Sequence, residues 1–315
     1  TPSILKNYEL KKLLELIYLT YNVNDNIEIT VECNPDDLTS KKLLSFKNMG
    51  INRLSIGVQS FNDKELKFMN RSHNALEAVK GIKIAQKIGF NNITIDLIYG
   101  IPHQTINDWE KNIDQALSLN IQHFSAYSLT VEKKTALSHM VKNKKIKLLS
   151  DENVVNQFNL LQKKAEVSKF IHYEISNFGK IGYFSQHNTG YWKSVHYLGI
   201  GPSAHSYNGI SRRSNISSNR KYRENIDSDK SYFKEEVLSI TEQYNEYIFT
   251  TLRTIWGSDI SIIKEKYGDD IEFHFLYEIK KWKVKKYIVT IEKNYKLTKQ
   301  GMIFADKIAS DLFIV

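Results

Sequence analysis

The chain has 315 residues, 41% of them hydrophobic, and its 44 Lys and Arg against 35 Asp and Glu give a formal charge of +9. That length suits one barrel-sized domain plus a smaller one. No apolar run approaches the roughly 20 residues of a membrane span and no signal-peptide pattern opens the chain, so a cytoplasmic protein is the default expectation. A single cysteine, Cys33, excludes an internal disulfide and any thiolate cluster built from these residues alone.

The chain opens on Thr1 rather than Met, and a sheet is expected almost at once, so upstream residues are anticipated. Residues 27–32 (IEITVE) alternate Glu28, Thr30 and Glu32 with Ile27, Ile29 and Val31, the period of a strand with one polar face. Thr39 caps a helix carrying Leu43, Leu44 and Phe46, which Gly50 stops. Residues 53–59 (RLSIGVQ) set Arg53, Ser55, Gly57 and Gln59 against Leu54, Ile56 and Val58. Asn74 caps a helix of Ala75, Ala78, Val79, Ile82 and Ala85 that ends at Gly89. In residues 93–98, Thr94 and Asp96 oppose Ile93, Ile95 and Leu97, and Thr105 opens a helix with Trp109, Ile113, Ala116 and Leu117 on one face. Strands near 122–129 and 171–176 follow, separated by a lysine-rich stretch and a helix over about 151–169.

Strand, helix and strand in turn make parallel crossovers, whose sheet has both faces covered. A polar face in such a sheet is explained if the sheet curls toward a barrel, with helices outside and the polar face lining the lumen. An ordinary barrel fills its lumen with branched apolar side chains. Carboxylates, an amide and a guanidinium there imply a polar ligand.

After residue 226 the texture changes. Helical patterns at 241–256, 259–266 and 272–282 precede a hairpin at 286–297 and a terminal helix with Ile303, Phe304, Ile308 and Leu312, the arrangement of a winged-helix module. Residues 241–315 carry 12 Lys and Arg against 11 Asp and Glu, and that near-neutral balance argues against nucleic acid as partner. The densest basic stretches lie earlier. Lys133–Lys147 fits a solvated lysine surface. The acid-free run Arg212–Arg223, richer in arginine, suits an anionic ligand.

Read together and in order, TPSIL, VECNPDDLT (31–39), RLSIGVQSFND (53–63), MNRSH (69–73), IDLIYGIPHQT (95–105), YEISNF (173–178), HNTGYW (187–192) and LGIGPSAHSY (198–207) resemble the radical S-adenosylmethionine family that contains oxygen-independent coproporphyrinogen III oxidases and HemW-type haem chaperones. The resemblance runs through the whole chain. It implies an incomplete (β/α) barrel over residues 1–226 and a helical, winged-helix-like domain over 227–315. It also implies S-adenosylmethionine and a [4Fe-4S] cluster held by a CxxxCxxC loop. That loop has no counterpart in these residues and Cys33 cannot replace it, so these residues alone are expected to be inactive in radical chemistry.

The resemblance assigns S-adenosylmethionine contacts to Glu32, Gln59, Arg71, Asp96 and His205. From the residues alone, Gln59, Arg71 and Asp96 also suit a buried polar network, with Asp96 paired to Arg53 or Arg71, and His205 suits a turn. His187, Asn188, Tyr191 and Trp192 match the H-N-x-x-Y-W signature of the chaperones and imply haem binding with His187 on the iron. Arg212, Arg213 and Arg220 are candidate partners for porphyrin propionates. The function implied is haem binding and its transfer to acceptor proteins. Oxidative decarboxylation of coproporphyrinogen III is the enzyme alternative, and DNA or RNA binding through the C-terminal module is the third reading.

Overall fold

A computed structural model describes residues 1–315, which form two compact units, Thr1–Phe184 and Ser185–Val315. Residues 185–226 group with the second unit.

In the first unit the strands are β1 (Thr30–Cys33), β2 (Arg53–Gln59), β3 (Ile93–Tyr99), β4 (His123–Ser128), β5 (Ile171–Glu174) and β6 (Asn177–Gly179). The helices are α1 (Asn7–Thr20), α2 (Ser40–Asn48), α3 (Asp63–Phe68), α4 (Ala75–Ile88), α5 (Ile106–Ser118), α6 (Ala136–Lys142) and α7 (Asp151–Val167). The expected caps are present: Thr39, Asn74 and Thr105 each accept the backbone N–H three residues on, and Glu77 and Asp108 return the bond to complete capping boxes.

The strands form one open sheet in the order β1-β2-β3-β4-β6-β5, with β1 to β4 parallel, as in an incomplete barrel. On its apolar face Leu54, Ile56, Val58, Ile93, Ile95 and Leu97 are wholly buried. The buried side of α4 (Ala78, Ile82, Ala85) and of α5 (Trp109, Ile113, Ala116) covers such a face. Trp109 Nε1 also donates to the Gln157 carbonyl at 3.0 Å, tying α5 to α7. Leu44, expected on the inner side of α2, is exposed, whereas Leu43 and Phe46 are buried.

Two strand expectations need correction. Residues Ile27–Ile29 lie outside the ladder, because β2 begins at Arg53 and its register partner is Thr30. The Asn52 side chain substitutes for a strand neighbour there, accepting from Ile29 N at 2.9 Å and donating to the Ile27 carbonyl at 2.7 Å. The 171–176 segment is not a further parallel strand beside β4. It turns into a hairpin, and β6 inserts antiparallel between β4 and β5.

In the second unit α8 (Gln186–Trp192) precedes a three-stranded antiparallel sheet of β7 (His205–Tyr207), β8 (Ser211–Asn215) and β9 (Phe233–Val237), with α9 (Asn219–Asp227) between the last two. Then follow α10 (Ile240–Leu252), β10 (Ser258–Asp259), α11 (Ile260–Tyr267), α12 (Asp269–Val284), β11 (Ile288–Ile291), β12 (Asn294–Leu297) and α13 (Ala305–Leu312). Sheet order β10-β12-β11 and the helix sequence are those of a winged helix. No helix is long and apolar enough to cross a membrane.

Candidate functional site

Strand alternation brings the polar side chains of the first unit to one face of its sheet, in rows across the strands. The deepest row centres on Arg53. Its Nε stands 3.8 Å from Glu28 Oε2, with both side chains buried, and its Nη atoms reach the hydroxyls of Thr30 and Thr94. His123 continues the row, sharing a 2.8 Å hydrogen bond with the Tyr173 hydroxyl. Burial first, and the Arg53 charge second, hold that imidazole well below its usual pKa, so it is neutral.

The next row joins Glu32, Ser55, Asp96, Ser125, Asn177 and Glu174. Ser125 Oγ donates to Asn177 Oδ1 at 3.1 Å, and Asn177 Nδ2 donates to Glu174 Oε2 at 2.5 Å. Asp96 has no cation partner. Arg53 is engaged by Glu28, while Arg71 Nη2 donates to Asn34 Oδ1 and the Gly57 carbonyl, each at 3.1 Å. The bland pairing of Asp96 with either arginine is therefore absent. Loss of water raises the Asp96 pKa to about 6; the Ser125 hydroxyl opposes the rise, and the Glu32 carboxylate adds to it.

Nearest the strand ends lie Gln59 and Arg71. Gln59 has φ 67 and terminates β2 at an irregularity in its register with β3. Gly57 makes room for both side chains, since a Cβ there would stand 3.0 Å from Gln59 Nε2 and 3.4 Å from Arg71 Nη2. Glu32, Gln59, Arg71 and Asp96 thus share one face near the C-terminal ends of β1 to β3. That donor and acceptor set fits a small polar ligand with hydroxyl, amino and carboxylate groups.

The same face does not fit an iron–sulfur cluster. The only thiol, Cys33, points to the apolar side, and burial pushes it up to about 12. No group of three or more His, Cys, Asp or Glu is placed to hold a metal ion. Ser125, Asn177 and Glu174 were not singled out from sequence, although the alternation of HFSAYS would have pointed to Ser125. His205, the fifth candidate, belongs to the second unit, where it pairs with Ser214 at the start of β7 and is exposed.

The HNTGYW segment forms α8, capped by Ser185, whose hydroxyl accepts from Asn188 N at 3.2 Å. Rings then run in series. His187 stands edge-on to Tyr191 with centroids 4.7 Å apart, Tyr191 edge-on to Tyr197 at 4.6 Å, and Tyr197 lies 6.1 Å from Tyr207. Tyr191 and Trp192 open onto a cleft of about 840 Å³ within the second unit, in the size range of small-molecule and cofactor sites. Its far wall is the winged-helix core, through Tyr247, Phe249, Trp256 and Tyr267. His187 and Asn188 do not line it.

Of the three arginines, only Arg212 faces this cleft. Its Nη2 lies 2.6 Å from Glu246 Oε1, while its Nε is buried without a hydrogen-bond partner. Trp192 Nε1 is likewise buried and unpartnered. Arg213 and Arg220 are instead engaged by Glu235 and Glu224 at 3.2 and 3.6 Å. Aromatic walls, with the partly exposed Arg212 guanidinium among them, fit a planar ligand bearing a carboxylate.

Comparison with known proteins agrees with this architecture. Residues 1–116 match the model of the radical SAM superfamily. The chain is 35% identical over 311 residues to the heme chaperone HemW of Bacillus subtilis, covering 98% of this chain and 82% of the relative. It is 32% identical to the heme chaperone HemW of Lactococcus lactis, covering 87% and 71%. Among solved structures, coproporphyrinogen III oxidase (HemN) from Escherichia coli superposes with a TM-score of 0.82 over 99% of this chain and 76% of that one, at 21% identity, a likeness of fold. With a third of its residues shared with HemW proteins along nearly its whole length, the chain belongs to the HemW family of the radical SAM superfamily.

Proposed function

We propose that this protein binds haem in the cleft of its second unit and passes it to acceptor proteins, with S-adenosylmethionine held on the polar face of the first unit. The observation that carries the haem reading is an aromatic cleft of about 840 Å³ lined by Tyr191 and Trp192 of the HNTGYW segment together with the Arg212 guanidinium. Tyr191 and Trp192 tie the cleft to the HemW signature.

For S-adenosylmethionine, Asp96 and Glu32 supply acceptors for ribose hydroxyls or an amino group, and Gln59 and Arg71 supply donors for a carboxylate. His205 joins them only by family resemblance. The cluster that activates the cofactor in radical enzymes needs ligands beyond these residues. Oxidative decarboxylation of a porphyrinogen remains the alternative, and product analysis separates it from haem transfer.

The test is a haemin titration followed by the Soret band. Saturable binding that weakens in Arg212→Ala, and weakens equally in the wild type when haemin dimethyl ester replaces haemin, supports the assignment. Failure of the wild-type chain to bind haemin refutes it.

A further inference from the structure

The left-handed backbone of Gln59, at φ 67, falls where the register between β2 and β3 is broken. For a residue with a side chain this conformation costs about 1–3 kcal/mol and persists only where the surroundings fix it. The residues just after it are fixed tightly. Ser60 is wholly buried, its hydroxyl lies 2.5 Å from Glu65 Oε2, and its N–H donates to the Val58 carbonyl at 2.8 Å. Phe61 N donates to Asn112 Oδ1 at 2.6 Å, and Asn62 N donates to the Ser60 hydroxyl at 2.9 Å. Asn112 Nδ2 and Gln104 Nε2 each donate to Glu65 Oε2 at 3.0 Å. Gln104 in turn accepts from Gly100 N at 3.1 Å, where β3 ends. Glu65, Gln104 and Asn112 are buried like Ser60.

We propose that Glu65 and Asn112 are positioning residues for the S-adenosylmethionine face, holding the turn after β2 so that Gln59 presents its amide beside Arg71. The inference rests on the cofactor reading above and adds to it two buried side chains that act through Gln59. Gln59 Nε2 and Arg71 Nη2 converge over Gly57, 3.0 and 3.4 Å from where a Cβ would stand. Relaxation of Gln59 to a negative φ would turn its side chain away from that spot, and Arg71 would face a ligand alone. A single carboxylate oxygen of α3 gathers the end of β2, the loop before α5 and α5 itself through Ser60, Gln104 and Asn112. A buried polar network of this kind, fully bonded, specifies one arrangement of the elements it joins. A group held in its binding geometry before the ligand arrives loses little freedom on binding, so the clamp contributes to affinity without touching the ligand.

The experiment measures S-adenosylmethionine affinity by calorimetry for the full chain and for Ser60→Ala, Asn112→Leu, Glu65→Leu and Glu65→Gln, each alone and combined with Gln59→Ala. Far-UV circular dichroism checks folding. Ser60→Ala, Asn112→Leu and Glu65→Leu are each expected to weaken binding about tenfold. Glu65→Gln should stay near the wild type, because one amide oxygen can accept the bonds that Oε2 accepts. On top of Gln59→Ala the same substitutions should cost at most about twofold more, since a residue that acts through Gln59 then has nothing left to position. A merely structural role would give the full loss in both backgrounds, and that result overturns the inference. Ser60→Ala removes a single hydroxyl and decides the matter if the larger changes fail to fold; wild-type affinity in Ser60→Ala also overturns the inference. If the wild type binds and Gln59→Ala binds equally well, the inference falls while the cofactor reading keeps Glu32, Arg71 and Asp96. If the wild type does not bind, both fall.

Discussion

Asp96→Asn should stabilise the protein at neutral pH and lose that advantage in acid. Asp96 lies in the lumen of the first unit without a cation partner, and its pKa is raised from 3.8 to about 6, mainly by burial. At 1.36 kcal/mol per pH unit, ionised Asp96 costs the folded state about 3 kcal/mol once the pH is well above 6. The folded chain holds this proton more tightly than the unfolded chain does. The contribution to stability is therefore fully present below pH 3.8 and is lost as the pH rises through 6. Asparagine keeps the size and the bonding to the serine hydroxyls but never ionises. Urea denaturation of both proteins at intervals from pH 4 to 7.5 should show Asp96→Asn ahead by up to about 3 kcal/mol at pH 7, with the gap closing below pH 6. A gap that does not change with pH would refute the reasoning. Retaining such a carboxylate makes physical sense if a ligand supplies the missing positive charge or donors, so saturating S-adenosylmethionine should narrow the gap by stabilising the wild type more.

Three other outcomes follow from neighbouring geometry. Gly57→Ala places a methyl group 3.0 Å from Gln59 Nε2 and 3.4 Å from Arg71 Nη2; calorimetry should show S-adenosylmethionine affinity falling about tenfold while stability falls by only about 1 kcal/mol, and an unchanged affinity would remove those two side chains from the site. Arg53→Met leaves Glu28 buried without its guanidinium, and chemical denaturation should report a loss of about 3–5 kcal/mol, which Arg53→Lys restores only in part because one ammonium cannot reach Glu28, Thr30 and Thr94 together. Cys33, buried and with its thiol pushed up to about 12, should resist thiol reagents at pH 8 in the native chain and react in urea, whereas rapid native labelling would place it on the wrong face of β1.

The sheet was legible because its period of two is written in single side chains. Arg53, Ser55, Asp96 and their apolar alternates fall on the faces that the sequence implies. What the pattern cannot carry is register. Glu28 and Arg53 are 25 residues apart and meet only because Thr30 pairs with Arg53, and that same register leaves Ile27–Ile29 beyond the end of the neighbouring strand. The β5–β6 hairpin was hidden for a related reason: Asn177–Gly179 is too short to show alternation, and its place between β4 and β5 follows from tertiary pairing. Motif reading found Tyr191 and Trp192 but not the cleft they open on. Its walls come from residues 191 to 313, and His196 and Glu246 belong to no motif the sequence offered.

The winged-helix core acquires a role from that cleft. Its strands and helices carry almost balanced charge, with 12 basic against 11 acidic residues over 241–315, which suits no phosphate backbone. Its α10 instead turns Gln243, Glu246, Tyr247 and Thr250 toward the cleft, and Glu246 holds Arg212 of β8 at 2.6 Å. Burial raises the Glu246 pKa even with that arginine beside it. The pair thus sits where a charge is costly. If nucleic-acid binding were the module's purpose, Glu246→Gln would leave haemin affinity unchanged. If the module forms the haem wall, that substitution frees Arg212 from its only carboxylate, and haemin should bind more tightly while its dimethyl ester does not.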